Sequence, residues 1–217
     1  KGIDELQPVN GVIHLHQVYT AAKRDYTGRV TVPALWDRER HTIVNNESSE
    51  IIRMLNSEFS TWADNSFDLY PEAKRQDIDE INAYIYERVN NGVYRCGFAK
   101  SQEAYETAFQ RLFEALDVLE KRLSTQRFLV GAQLTEADVR LYTTLVRFDA
   151  AYHGLFKCNL RRIEDYANLS NYLRDLYQRP GFGDTSDIAA IKAGYYSNRD
   201  INPTGIVPVG PAQDFTR

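Results

Sequence analysis

Cysteine is scarce in this sequence: Cys96 and Cys158 are the only two among 217 residues. Two are too few for a disulfide framework, and such a chain fits a reducing compartment. Basic charge is not in excess either. Twenty-six Lys and Arg stand against thirty Asp and Glu, a net charge of -4 with no basic stripe, which argues against nucleic acid or an anionic membrane as partner. No apolar run approaches the ~18 residues that a membrane-spanning helix needs, and the first residues show no charged-then-apolar leader. A cytoplasmic protein with no membrane span is the expectation. His14 and His16 lie two apart, which on a strand puts both on one face, but no carboxylate or cysteine sits beside them and no metal site is expected.

What is present is apolar material for a core: 43% of the residues are hydrophobic and 26% charged, enough for one or two domains. Three regions separate by pattern. Residues 1–56 alternate strand-like pieces, at Val12-Ile-His-Leu-His16, Arg29-Val-Thr-Val-Pro33 and His41-Thr-Ile-Val44, with an opening helix. After a linker over 57–70, the period changes to 3.6. Ile78, Ile81, Tyr84, Ile85 and Val89 recur on one face, as do Ala108, Leu112, Leu116, Leu119 and Leu123, predicting two long amphipathic helices.

Leu134-Thr-Glu-Ala-Asp-Val139 reads as a helix start, Thr135 capping the amide of Asp138 while Asp138 reaches back. That helix runs through Leu141, Leu145 and Phe148, and another spans Tyr166 to Tyr177, stopped by Arg179-Pro-Gly181. The expected organisation is α+β: an α/β piece over 1–56, an all-helical domain over 71–190 and a Gly/Pro-rich tail over 191–217. Ile201, Ile206 and Val207 give that tail enough apolar content to be ordered against the helices.

The α/β piece carries the most chemistry. Thr31-Val-Pro-Ala-Leu-Trp-Asp37 followed by Asn45-Asn-Glu-Ser-Ser-Glu50 puts a strand, a proline and a capped helix start in the order of thioredoxin-fold glutathione sites. Proline cannot donate to a ladder, so Val32 ahead of Pro33 keeps free backbone groups that can pair with a bound peptide. The amides near Ser48 point from a helix N-terminus toward an anion, while Glu47 can hold an amine. Taken singly, Ser48 merely caps a helix and Val32-Pro33 merely ends a strand; their joint order favours a site.

These residues resemble the glutathione transferase family, and in particular its glutathionyl-hydroquinone reductases, the xi class. The likeness is carried by TVPALWD, NESSEIIRML, Asn90-Asn-Gly-Val-Tyr-Arg-Cys-Gly-Phe-Ala99, the stretch from Leu134 to Asp149, and Ile201-Asn-Pro-Thr-Gly-Ile-Val-Pro208. It implies a partial thioredoxin-like domain followed by the all-α transferase C-terminal domain. It also implies that Val32, ahead of a cis Pro33, pairs with the cysteinyl part of glutathione, and that Glu47 and Ser48 hold its γ-glutamyl end. Tyr94 and Tyr195 would face the hydroquinone as catalytic groups, with glutathione as co-substrate and the protein a homodimer.

The implied reaction reduces a glutathionyl-hydroquinone through a cysteine–glutathione mixed disulfide. The family's nucleophile sits in a Cys-Pro-Trp type motif that this sequence lacks, and neither Cys96 nor Cys158 precedes a proline or opens a helix. The nucleophile is expected upstream of this chain. The alternative is a transferase-fold binding or assembly module without catalysis. Tyrosine is suited to hold a quinol oxygen, although with 14 in the chain position alone says little. Arg140 and Arg147 are expected to pair with acids such as Asp138 or Asp149, or to face the cleft.

Overall fold

The computed structural model describes residues 12, 14–63 and 67–216, which fall into two compact units meeting between Asp68 and Leu69. The first unit holds α1 (Leu15–Ala22), β1 (Leu35–Asp37), β2 (Thr42–Asn45) and α2 (Ser48–Ser57). β1 and β2 pair antiparallel, Trp36 opposite Ile43 and Asp37 opposite Thr42. Between them Asp37 takes the amides of Glu39 and Arg40 on Oδ1, each at 2.9 Å, a local side-chain turn that reverses the chain. The strand expected at His41–Val44 is therefore close to the observed β2.

Two expected strands are not strands. Leu15 and His16 lie in α1, and His14 precedes it, donating its N–H to Gln17 Oε1 at 2.8 Å. The histidines stack at 5.6 Å on a helix end rather than lining a strand face, and Ile13 lies outside the described residues. The stretch Arg29–Pro33 has no ladder partner. Its central backbone groups go to a phenol instead: Tyr19 Oη donates to the Thr31 carbonyl at 2.7 Å and receives the Thr31 N–H at 3.3 Å. The strand starts two residues after Pro33.

The second unit is helical: α3 (Arg75–Ile85), α4 (Asn91–Gly97), α5 (Gln102–Leu123), α6 (Glu136–Arg147), the single turn α7 (His153–Leu155), α8 (Ala167–Tyr177) and α9 (Ile188–Tyr196). Leu112, Leu116 and Leu119 of α5 are wholly buried with Leu141 and Leu145 of α6, as the 3.6 period predicts. Glu120 of α5 receives the amides of Asn168 and Leu169 at 2.9 and 2.7 Å, which places a carboxylate at the positive end of α8. The expected single helix through Val89 is interrupted: Tyr86–Asn90 is a π-helical turn, and Phe148–Tyr152 is a second one after α6. Asn90 reaches across to the Arg140 carbonyl at 3.0 Å and to Thr144 Oγ1 at 2.6 Å, contacts that lock the first π turn against α6.

The α6 start is as the sequence implies. Asp138 is wholly buried; its Oδ2 takes the Thr135 N–H and hydroxyl at 2.8 and 3.0 Å, and its Oδ1 takes the Leu129 N–H and the Tyr172 hydroxyl, both at 2.8 Å. The tail is pinned to the helices at two places. Buried Lys192 of α9 donates to the carbonyls of Val209, Gly210 and Pro211 at 2.9, 3.1 and 3.3 Å, and Phe215 stacks on Tyr177 at 4.5 Å. Among the described residues no helix is long and apolar enough to cross a membrane.

Candidate functional site

In the first unit one buried phenol organises the glutathione-type segment. Tyr19 Oη holds Thr31 as described and also receives Asn46 Nδ2 at 3.2 Å, so α1, the Val32 segment and the approach to α2 meet on one oxygen. The Val32–Pro33 bond is cis, and Val32 is 76% exposed. Its N–H and C=O have no partner among the described residues. Glu47 caps α2 by position, its N–H going to Asn45 Oδ1 at 2.7 Å, and Ser48 opens the helix with its side chain exposed. Val32, Pro33, Glu47 and Ser48 thus present free backbone, a carboxylate and helix-terminal donors.

In the second unit a chain of three phenols forms the centre. Tyr94 of α4 and Tyr152 at the end of the second π turn each lie 2.7 Å, oxygen to oxygen, from Tyr195 of α9. Both π turns sit next to this chain, one leading into α4 and the other ending in Tyr152, a recurrent use of such turns at functional sites. Tyr152 is buried and has no other hydrogen-bond partner among the described residues. A buried hydroxyl keeps its donor satisfied, so Tyr152 donates to Tyr195, while in the bond between Tyr195 and the exposed Tyr94 either oxygen can be the donor. Burial pushes the Tyr195 phenol up to about 12 and holds that of Tyr152 far above the ordinary range. Both remain neutral donors at neutral pH.

The rings around this chain are aromatic. Phe156 meets Tyr94 edge-on at 5.3 Å and Tyr195 at 5.9 Å, and Phe98 stacks beside Tyr94 at 6.4 Å. A side chain on Gly97 would collide with the Phe156 ring, so glycine lets that ring pack beneath α4. Tyr94, Tyr195, Phe98 and Phe156 open onto a cavity of about 520 Å³ that also takes in Arg147, Ser186 and Ile191, a volume suited to a small organic ligand. A second cavity of about 690 Å³ lies against the other side of Tyr94 and Phe98; Tyr195 and Tyr152 do not line it.

Neither cysteine reaches these cavities. Cys96 and Cys158 are buried and reduced, with Cys158 Sγ facing the carbonyls of Val93 and Phe156 at 4.0 and 3.9 Å. The neighbouring Cys96 sulfur and burial push the Cys158 thiol up, which disfavours a reactive thiolate. Among the described residues no group of His, Cys, Asp and Glu is arranged to hold a metal.

With this geometry in view, the relatives can be placed. The model of the "Glutathione S-transferase, C-terminal domain" family matches residues 102–175. The glutathionyl-hydroquinone reductase PcpF of Sphingobium chlorophenolicum is 57% identical over 97% of this chain and 68% of its own length. The glutathionyl-hydroquinone reductase YqjG of Escherichia coli is 54% identical over 93% of this chain and 62% of its own length. The glutathione-bound structure of YqjG superposes with a TM-score of 0.91 at 53% identity, covering 94% of this chain and 66% of that one.

The glutathione-S-transferase Xi of Phanerochaete chrysosporium superposes with a TM-score of 0.91 at 53% identity, covering 94% of this chain and 71% of that one. The chain belongs to the xi class of the glutathione transferase family. It spans about two thirds of the length of these relatives. The α+β class follows, with the C-terminal portion of a thioredoxin-like domain ahead of the all-α transferase domain.

The structure brings together two of the residues named from the xi-class sequence, Tyr94 and Tyr195, from helices 101 positions apart. Tyr152 was missed. Its only signal was a buried position, which obliges a phenol to find a partner. Of the two arginines, Arg140 pairs with an acid other than those named, Glu136 at 3.2 Å, while Arg147 donates to the Thr143 carbonyl at 2.6 Å and faces the cavity, the other placement expected. Asp138 is enclosed in its cap, and Asp149 takes the amides of Ile163 and Glu164 at 2.7 and 3.2 Å, so neither acid is open to them.

Proposed function

We propose that this chain forms the greater part of a glutathione-dependent reductase that converts glutathionyl-hydroquinones to hydroquinones and releases glutathione disulfide. The observation that carries the reading is the phenol chain ending in Tyr94 at an aromatic cavity, in a member of the xi class. Val32 pairs by its backbone with the cysteinyl part of glutathione; Glu47 takes the γ-glutamyl amine and the Ser48 region its carboxylate.

In the reaction a quinol hydroxyl proton moves to the ring carbon bearing sulfur, giving the keto form. A cysteine thiolate attacks the substrate sulfur, the carbon–sulfur bond breaks, and its electron pair returns to the ring as a phenolate that takes up a proton. The cysteine, now disulfide-linked to glutathione, is freed by a second glutathione as glutathione disulfide. The buried Cys96 and Cys158 do not fill that role, and we assign the thiol to a part of the source protein outside this chain.

Tyr94, supported by Tyr195 and Tyr152, donates to the ring oxygen that gains charge as the bond breaks. Removing one such donor costs about 10²-fold in kcat. In the full source protein, Tyr94→Phe is expected to lower kcat by about that factor and Tyr195→Phe, which leaves the donor in place, by less, with hydroquinone and glutathione disulfide still formed in equal amounts. Unchanged kcat would remove the phenol chain from the mechanism. A cytoplasmic homodimer belongs to the same proposal, and sedimentation of the purified protein at twice the protomer mass is the expected result for the dimer.

A further inference from the structure

The cavity beside the phenol chain contains a charge that a neutral diol does not use. Arg147 ends α6 and lines the cavity with Thr185, Ser186 and Asp187. Its Nη1 donates to the Thr143 carbonyl one turn back, which lays the stem along α6 and leaves most of the five guanidinium donors uncommitted. No ion pair engages it among the described residues.

Asp187, Asp149 and Asp184 are the acids of this region, and none forms an ion pair with Arg147 among the described residues. Asp187 caps α9 by taking the Ala190 N–H at 2.9 Å, and Asp149 is turned to the Ile163 and Glu164 amides. The guanidinium also acts on the centre of the site: burial raises the Tyr195 phenol, and the charge of Arg147 opposes that rise. A half-buried cation with no ion pair among the described residues, in a cavity that also presents the rings of Tyr94, Phe98, Phe156 and Tyr195, is complementary to an aromatic anion. Guanidinium and carboxylate match in a planar, two-bond geometry.

We infer that Arg147 is a specificity-determining residue that favours aromatic diols bearing a ring carboxylate. The inference rests on the cavity being the quinol site. The diol oxygen meets Tyr94 and Tyr195, and the carboxylate meets Arg147. The cavity of about 520 Å³ is in the range that holds ligands larger than one bare ring, and discrimination comes from the difference between paired and unpaired guanidinium.

The test is calorimetric titration of the full source protein with hydroquinone, with 2,5-dihydroxybenzoate and with reduced glutathione, repeated for Arg147→Met and Arg147→Lys. The wild type is expected to bind the dihydroxybenzoate about tenfold more tightly than hydroquinone, as one charge-assisted pair allows, with a preference that shrinks as salt rises. Arg147→Met should bring the two affinities together, and Arg147→Lys should keep part of the gap. Equal affinities in the wild type, or a gap that survives Arg147→Met, overturn the inference while leaving the quinol site standing. If Arg147→Met weakens glutathione instead, the guanidinium reads the tripeptide, and the ring-carboxylate assignment falls. Binding of neither diol overturns both the inference and the quinol site.

Discussion

Tyr195 is held between two other phenols, and that position sets what it can do. One neighbour, Tyr152, is buried and donates to Tyr195 without itself lining the cavity. Tyr152→Phe is expected to remove that donor from Tyr195. We predict a drop in kcat smaller than that of Tyr195→Phe, with KM for the quinol substrate little changed. Equal losses in the two variants would contradict that order.

The pH behaviour follows from the same burial. With its phenol pushed up to about 12, Tyr195 stays protonated through pH 10, so the ultraviolet phenolate signal that Tyr195→Phe removes should be absent below pH 10. A phenolate signal near pH 10 that disappears in Tyr195→Phe would show an ordinary, solvated phenol. At this scale Tyr94 and Tyr195 were legible only through their neighbours in sequence, because tyrosine is common in the chain. Tyr152 was not legible, since the contact that gives it meaning joins residues 43 apart.

Among the elements, those whose ends are written locally were readable. The α6 start lies within the four residues Thr135 to Asp138, and the structure closes the box there. Asp138→Ala leaves the Leu129 amide and the Tyr172 hydroxyl without their acceptor, so the loss exceeds that of a simple cap. Thermal or urea unfolding should show a stability loss of about 3 kcal/mol; a variant as stable as the wild type would contradict the buried network.

The π turns were not readable, because Asn90 finds its partners on α6, 50 and 54 positions away. The early strands were misread for a similar reason. An alternating pattern signals a strand only where a ladder partner exists, and Tyr19 took the backbone groups of Thr31 instead. Tyr19→Phe removes that oxygen from three segments at once. It should cost about 1–2 kcal/mol and weaken glutathione binding while leaving hydroquinone binding intact, which paired titrations would check. Unaltered glutathione affinity would mean that the Val32 segment holds its shape without Tyr19.

Over the whole molecule the balance is acidic, a net -4, yet the aromatic cavity of the second unit keeps a cation without a carboxylate partner. The change from strand-like to helical periodicity was plain in the sequence because it needs only the spacing of apolar residues. An ordered tail was expected from Ile201, Ile206 and Val207, but the means of its pinning was not legible: Ile206 and Val207 stay exposed, and the tail is held by a buried lysine on the helix that carries Tyr195. Lys192→Met should therefore release the tail, seen as faster proteolysis after Tyr196, and lower quinol affinity through α9. Unchanged protease sensitivity would mean that the Phe215 contact holds the tail without Lys192.

The most direct measurement of the central claim is product analysis on the full source protein, given a glutathionyl-hydroquinone and glutathione, with both products quantified over time. The account predicts one hydroquinone and one glutathione disulfide for each substrate consumed. Recovery of unreacted adduct, or consumption of the adduct without glutathione disulfide, would contradict it.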